Sequence, residues 1–140
     1  MYRKIVVGYD GSEGSKAALL QALNLAKELG SEVTALWIRG KLPHYPETID
    51  EVEEEKEATD TFYNKLKEEV ADISREYAIP IECLSESGHQ AKTILDYAKR
   101  VKCDLIVLGH RGHSGIWGNL LGHTAHKVSE NAHCSVLIVR

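Results

Sequence analysis

The residues best placed to do chemistry lie between Asp104 and Thr124, in the run DLIVLGHRGHSGIWGNLLGHT. A short apolar stretch, Asp104 to Leu108, leads into Gly109, Gly112, Gly115, Gly118 and Gly122, and then into a helix-compatible stretch, HTAHKVSENAH. Strand, glycine-rich loop and helix in that order present backbone N–H groups and a helix N-terminus at the carboxyl end of a buried strand, which favours phosphate. Glycines suit such a loop because they adopt positive φ and let an anion approach the backbone closely. The loop is not GxGxxG, and no Gly-Lys pair followed by Ser or Thr occurs in it, so neither the dinucleotide nor the P-loop fingerprint applies.

Other polar residues invite sharper readings. Asp10 follows the first apolar run and is either a turn former or an acidic group facing the glycine loop. Ser114 adjoins His113, and Ser12 is near Asp10, but there is no GxSxG elbow and nothing fixes a Ser–His–Asp geometry. Slow hydrolysis is therefore the most this chain is expected to catalyse. Five of the seven histidines fall between residues 110 and 133: His110, His113, His123, His126 and His133. His123 and His126 would share a helix face and, with His110 or His113, could hold a metal. No cysteine or carboxylate completes a recognisable ligand set, so they are read as loop and surface histidines.

The elements that must position these residues follow from periodicity. Lys4–Tyr9 reads as a strand buried on both faces. Asp10-Gly11-Ser12 is a turn, and Ser12 or Ser15 can cap the helix from Ser15 to Leu29, which Gly30 ends. Glu32–Ile38 is a second strand and Arg39–Glu47 a loop. Glu47–Glu57 is an acidic, mobile helix start. Ala58–Tyr77 is a firmer helix with Phe62, Leu66, Val70, Ile73 and Tyr77 as its apolar stripe. Pro80–Leu84 is a third strand with Ser85–Gly88 as its exit, Ala91–Val101 a helix, and Asp104–Leu108 the fourth strand. A helix from Gly122 to Ala132 and a strand from Ser135 to Arg140 complete the chain. This alternation predicts an α/β fold, an open twisted parallel sheet of five strands with helices on both faces. Ligands of such sheets bind outside the carboxyl ends of the strands at the winding switch. Asp10 and Gly109 would both line that crevice if strands one and four are neighbours.

Bulk properties set outer bounds. At 140 residues the chain reads as one domain, 1–140, with a substantial core. The net charge of −4 argues against a general nucleic-acid or membrane-surface role. Cys83, Cys103 and Cys134 are odd in number, widely spaced and beside apolar runs, which suggests free thiols in a reducing compartment. No targeting segment and no apolar run of ~18 residues is present, so a cytoplasmic location is expected.

Three stretches, KIVVGYDGSEGSKAAL, CDLIVLGHRGHSGIWGNLLGHTAHKV and CSVLIVR, give the chain a resemblance to the universal stress protein family. Its nucleotide-binding branch has glycine, two residues, glycine, nine residues, glycine, then Ser or Thr. Gly109, Gly112 and Gly122 keep that spacing, whereas His123 stands where the hydroxyl is expected and Thr124 follows. The resemblance implies a Rossmann-like sheet of order 3-2-1-4-5 and bound ATP with Mg²⁺. It implies that Asp10 lies near the ribose or a metal-bridged phosphate, and that Gly8 and Ile38 offer backbone to adenine and ribose. Leu108, Gly109, Gly112, His113 and Ser114 would contact ribose and phosphate. Gly122, His123, Thr124 and Ala125 would cradle the triphosphate. It also implies a homodimer in which the C-terminal strand, Val136 to Arg140, pairs antiparallel with its copy. The expected role is an ATP-binding, dimeric stress-response regulator. A nucleotide-free interaction module of the same fold is the alternative, and His123 is the feature that favours it.

Overall fold

Five short apolar runs form the strands of one parallel sheet, and the amphipathic stretches between them become its covering helices. The computed structural model describes residues 1–40, 48–110 and 122–140. In chain order the elements are β1 (Lys4–Gly8), α1 (Glu13–Leu29), β2 (Glu32–Arg39), α2 (Ile49–Tyr77) and β3 (Ile81–Ser87). They continue with α3 (Gln90–Arg100), β4 (Leu105–Gly109), α4 (His123–Asn131) and β5 (Ser135–Val139). The strand order is β3-β2-β1-β4-β5, as expected, so the chain winds outward from β1 through β2 to β3 and returns to the other side of β1. The winding switch lies between β1 and β4, paired as Ile5↔Leu105, Val6↔Ile106 and Val7↔Val107.

Alternation along the strands divides the core in two. Ile5, Val7, Val33, Ala35, Leu105 and Val107 face α1 and α2, where they meet Ala18, Leu19, Ala22, Leu23, Leu66 and Val70. Val6, Leu36, Ile38, Ile106 and Leu108 face α3 and α4, against Ile94, Tyr97, Ala98, Ala125 and Val128. Each central strand is therefore apolar on both faces, which is why these runs are continuous rather than alternating.

Helix ends follow local chemistry. Ser12 caps α1, its Oγ accepting from Ser15 N at 3.2 Å. Gly30 closes that helix at φ 70°, its N–H donating to Ala26 O at 2.7 Å. Thr48 caps α2, accepting from Glu51 N at 3.1 Å.

Two expectations need correction. The third strand does not end at Leu84, because β2 reaches Arg39 and holds Ser85, Glu86 and Ser87 in register with Trp37, Ile38 and Arg39. On an edge strand polar side chains can face water, so a polar run is no stop signal there. The stripe of α2 is also narrower than expected. Leu66 and Val70 are buried, but Phe62 and Tyr77 are 36% and 40% exposed. Phe62 instead packs on Trp37, ring centroids 5.2 Å apart. The Arg39 guanidinium, 5.4 Å from the Tyr63 ring, donates to Asp60 Oδ1 at 2.8 Å and to Ser85 Oγ at 3.0 Å.

At the switch, the end of β4 presses on the start of α1. A Cβ on Gly109 would stand 2.6 Å from the backbone C and O atoms of Gly14. Both partners are main chain of packed elements, so neither can yield cheaply. Gly109→Ala is therefore expected to lower stability by about 2–3 kcal/mol. Urea unfolding followed by far-UV circular dichroism reads it, and an unchanged midpoint would refute the contact.

Candidate functional site

The carboxyl ends of β1 and β4 lie side by side, and a turn follows β1. After Gly8 the chain leaves β1 with Tyr9 N donating to Leu36 O at 2.9 Å. Asp10 Oδ1 accepts from Ser12 N at 2.9 Å, while Asp10 N donates to Ser15 Oγ at 3.3 Å. Asp10 is thus the turn former that the sequence allowed, and the same turn holds its carboxylate at the crevice edge. Leu108 lies across Gly8: a Cβ there would sit 2.6 Å from Leu108 Cδ2. Ile38 and Leu108 are buried, so what they offer to a ligand is backbone.

The start of α4 lies at the end of β4. His110 N donates to Val139 O at 2.7 Å, and His110 O accepts from Gly122 N at 2.8 Å. Gly122 is the N-cap of α4 and, among the described residues, no side chain caps that end. No acidic residue occupies the first turn, so the amide dipoles of His123, Thr124 and Ala125 meet no carboxylate from their own turn. Ala125 is buried in the α3/α4 core and contributes backbone alone, whereas the side chain of His123 is exposed. Gly112, His113 and Ser114 lie outside the described residues, as do Gly115 and Gly118.

Between α3 and α4 runs a cleft of about 670 Å³ whose lining includes His89, Gln90, Lys92, His123, Thr124 and Lys127. The N-terminus of α3 also opens here, with His89 as an N-cap that makes no side-chain capping bond. Gln90 Nε2 donates to Ile38 O at 3.1 Å, tying the cleft to the end of β2. His89, Gln90, Lys92 and Lys127 carry no motif in the sequence and went unassigned there. The one local signal was the position of His89 and Gln90 just after Gly88, at a helix start.

The structure thus separates the expected residues into two groups. Gly8, Asp10, Ile38, Leu108 and Gly109 gather at the strand ends. His123 and Thr124 line the α3/α4 cleft, with Gly122 and Ala125 beside them. Of the clustered histidines, His126 Nε2 pairs with Glu130 Oε1 at 2.8 Å. Among the described residues no three His, Cys, Asp or Glu side chains converge as a metal site.

Beneath the crevice sits Tyr9, 2% exposed, on the α1/α2 side. Its hydroxyl donates to Glu69 Oε2 at 3.0 Å, fastening α2 to the end of β1. Burial, then the Glu69 carboxylate, pushes its phenol well above the ordinary tyrosine range.

An open parallel sheet with its switch between β1 and β4, and a helix N-terminus beside that switch, defines a doubly wound α/β protein of the Rossmann-like kind. The universal stress protein family model matches residues 1–140, and the chain belongs to that family. A universal stress protein of Methanocaldococcus jannaschii is 36% identical, the match covering 100% of this chain and 83% of that one. The structure of the universal stress protein UspA from Lactobacillus plantarum superposes with a TM-score of 0.88 at 28% identity, over 99% of this chain and 98% of that one. A universal stress protein solved in complex with cAMP superposes with a TM-score of 0.76 at 27% identity, over 99% and 97% of the two chains.

The Tyr9–Glu69 bond yields a test with a sign. Tyr9 holds its proton more tightly folded than unfolded, so this contribution is fully present below pH ~10 and is lost as pH rises above it. Tyr9→Phe should cost about 1–2 kcal/mol at pH 7, and the gap to wild type should narrow above pH 10. Urea midpoints across pH 7 to 11 read both, and a gap that widens with pH would contradict the assignment.

Proposed function

We propose that this chain binds an adenine nucleotide, ATP with Mg²⁺, and acts as a dimeric stress-response regulator whose nucleotide occupancy marks a state, with slow hydrolysis at most. The observation that carries the reading is the α4 N-terminus. It is held at the end of β4 by the Gly122–His110 bond, has no capping side chain among the described residues, and has no acidic residue in its first turn. That is a cradle for phosphate, and its residues fit the anion. The relative in complex with cAMP supports an adenine nucleotide as the occupant.

Roles follow residue by residue. Gly8 and Ile38 offer backbone to the base and ribose. The Ile38 carbonyl already accepts from Gln90, but a carbonyl oxygen has a second lone pair. Leu108, Gly109, Gly112, His113 and Ser114 contact ribose and phosphate. Gly122, His123, Thr124 and Ala125 hold the terminal phosphates, and Lys127 adds positive charge along the cleft, where Lys92 is paired with Asp96 at 3.0 Å. Asp10 faces the ribose or the metal; Mg²⁺ neutralises adjacent phosphates when bound. Among the described residues Asp10 is the candidate to position an attacking water, which supports slow turnover at most. A cytoplasmic, one-domain protein suits this reading, and no helix among the described residues is long and apolar enough to cross a membrane. The net charge of −4 speaks against nucleic acid as partner.

The dimer rests on β5. It is an edge strand whose Val136, Leu137, Ile138 and Val139 are all half-buried, apolar on both faces. An edge of this kind needs a cover, and antiparallel pairing of Val136–Arg140 with a second copy provides one. Ile138→Lys is expected to shift the protein to monomer in sedimentation velocity while leaving its far-UV spectrum unchanged. A dimer that survives the charge would rule this edge out.

A nucleotide-free interaction module is the second reading, favoured by His123 in place of the family's hydroxyl residue. Isothermal titration with Mg-ATP separates the two. Saturable binding at one per subunit that is lost in Gly122→Val supports the nucleotide reading; heat-silent wild type, with no nucleotide co-purifying in native mass spectrometry, supports the module. A tenfold gain in ATP affinity in His123→Ser, about 1.4 kcal/mol, would mark the native site as degraded.

A further inference from the structure

The three cysteines divide between the two cores. Cys83 lies on β3 and packs on the α1/α2 side. Cys103 and Cys134 share the α3/α4 cluster, at the amino ends of β4 and β5, far along the strands from the crevice. The register of these strands begins at Leu105↔Ser135, so the two cysteines enter neighbouring strands one residue apart. In regular strands that offset would aim their side chains at opposite faces. Lys102, at φ 58°, turns the chain immediately before Cys103, and both sulfurs enter the same cluster. Cys103 is 3% exposed and its Sγ donates to Leu105 O at 3.0 Å. The backbones of the two cysteines stand at the ends of adjacent paired strands, Cys103 two residues before Leu105 and Cys134 one before Ser135.

We propose that Cys103 and Cys134 form an intramolecular disulfide under a hydroperoxide, a covalent bridge between the amino ends of β4 and β5. Cys134 is the more exposed of the two and meets the oxidant first. Its sulfur takes one oxygen as the peroxide O–O bond breaks, giving a sulfenic acid and releasing the alcohol, or water from hydrogen peroxide. The Cys103 sulfur then attacks the Cys134 sulfur. The S–S bond forms, and the sulfenic hydroxyl leaves as water with the proton of Cys103. Overall two thiols lose two protons and two electrons, and the peroxide takes them up.

Burial holds the resting pair in the dithiol form, pushing Cys103 up to about 12. Burial also raises Cys134, and the Asp104 carboxylate adds to the rise. A protonated pair reacts slowly, so the bridge responds to sustained oxidant rather than to ambient exchange. Once formed it closes the chain between β4 and β5, the segment that holds α4. It also pins the edge strand without touching the crevice at the opposite strand ends.

The test uses the full chain, wild type and Cys83→Ser. Each is treated with hydrogen peroxide, alkylated after denaturation and digested without reductant for mass spectrometry. The expected product is a monomer lighter by two hydrogen atoms, with a peptide joining Cys103 to Cys134 and Cys83 alone alkylated in wild type. The thermal midpoint should rise by roughly 10 °C in both proteins and return on adding dithiothreitol. Cys134→Ala should show no such mass loss. A bridge that includes Cys83, a bridge between two chains, or Cys134 carried to sulfinic acid with Cys103 still alkylatable would each overturn the proposal.

Discussion

The pairing of β1 with β4 is the constraint on which the rest of the structure depends. It is the only place in the sheet where the winding reverses, and both strands are apolar on both faces because helices cover both sides. Pairing there sets the distance between the turn after Gly8 and the turn after Gly109. It also forces the end of β4 against the start of α1, an approach that works because Gly109 lacks a side chain. The crevice is therefore a by-product of packing, at the carboxyl ends of the strands where the winding direction changes.

What fills that crevice is prepared on both sides of the sheet. On one side, Tyr9 and Glu69 fasten α2 beneath the crevice, and the Ser12 and Ser15 hydroxyls hold the Asp10 turn. On the other, one backbone hydrogen bond from Gly122 to His110 delivers the uncapped end of α4. The long α2 also reaches past the sheet, its apolar face ending near Leu66 while Ile49 and Val52 stay exposed. Arg39, stacked among Trp37 and Tyr63, locks the other margin of the sheet and keeps β2 and β3 paired to their ends.

Much of this was legible in advance. The five strands, the four helices and their order followed from apolar runs and 3.6-residue periodicity, and the cap residues Ser12 and Gly30 were identifiable by type. The polar tail of β3 was not legible, because Ser85–Ser87 read as a turn until paired with the end of β2. Phe62 and Tyr77 had the right spacing for the α2 stripe, yet spacing does not say where the sheet beneath the helix stops.

The sequence by itself determined the fold class and the chemistry of the glycine-rich segment. Those depend on local properties: hydrophobic period, the missing Cβ of glycine, and the spacing of Gly109, Gly112 and Gly122. Only the tertiary structure decided which distant groups meet. Tyr9 finds Glu69 sixty residues away, and Gln90 finds the Ile38 carbonyl across 52. Cys103 joins the same cluster as Cys134, with Lys102 turning the chain out of strand geometry just before it. Each of these contacts depends on register and helix packing, and neither is written in the identity of the residues that make it.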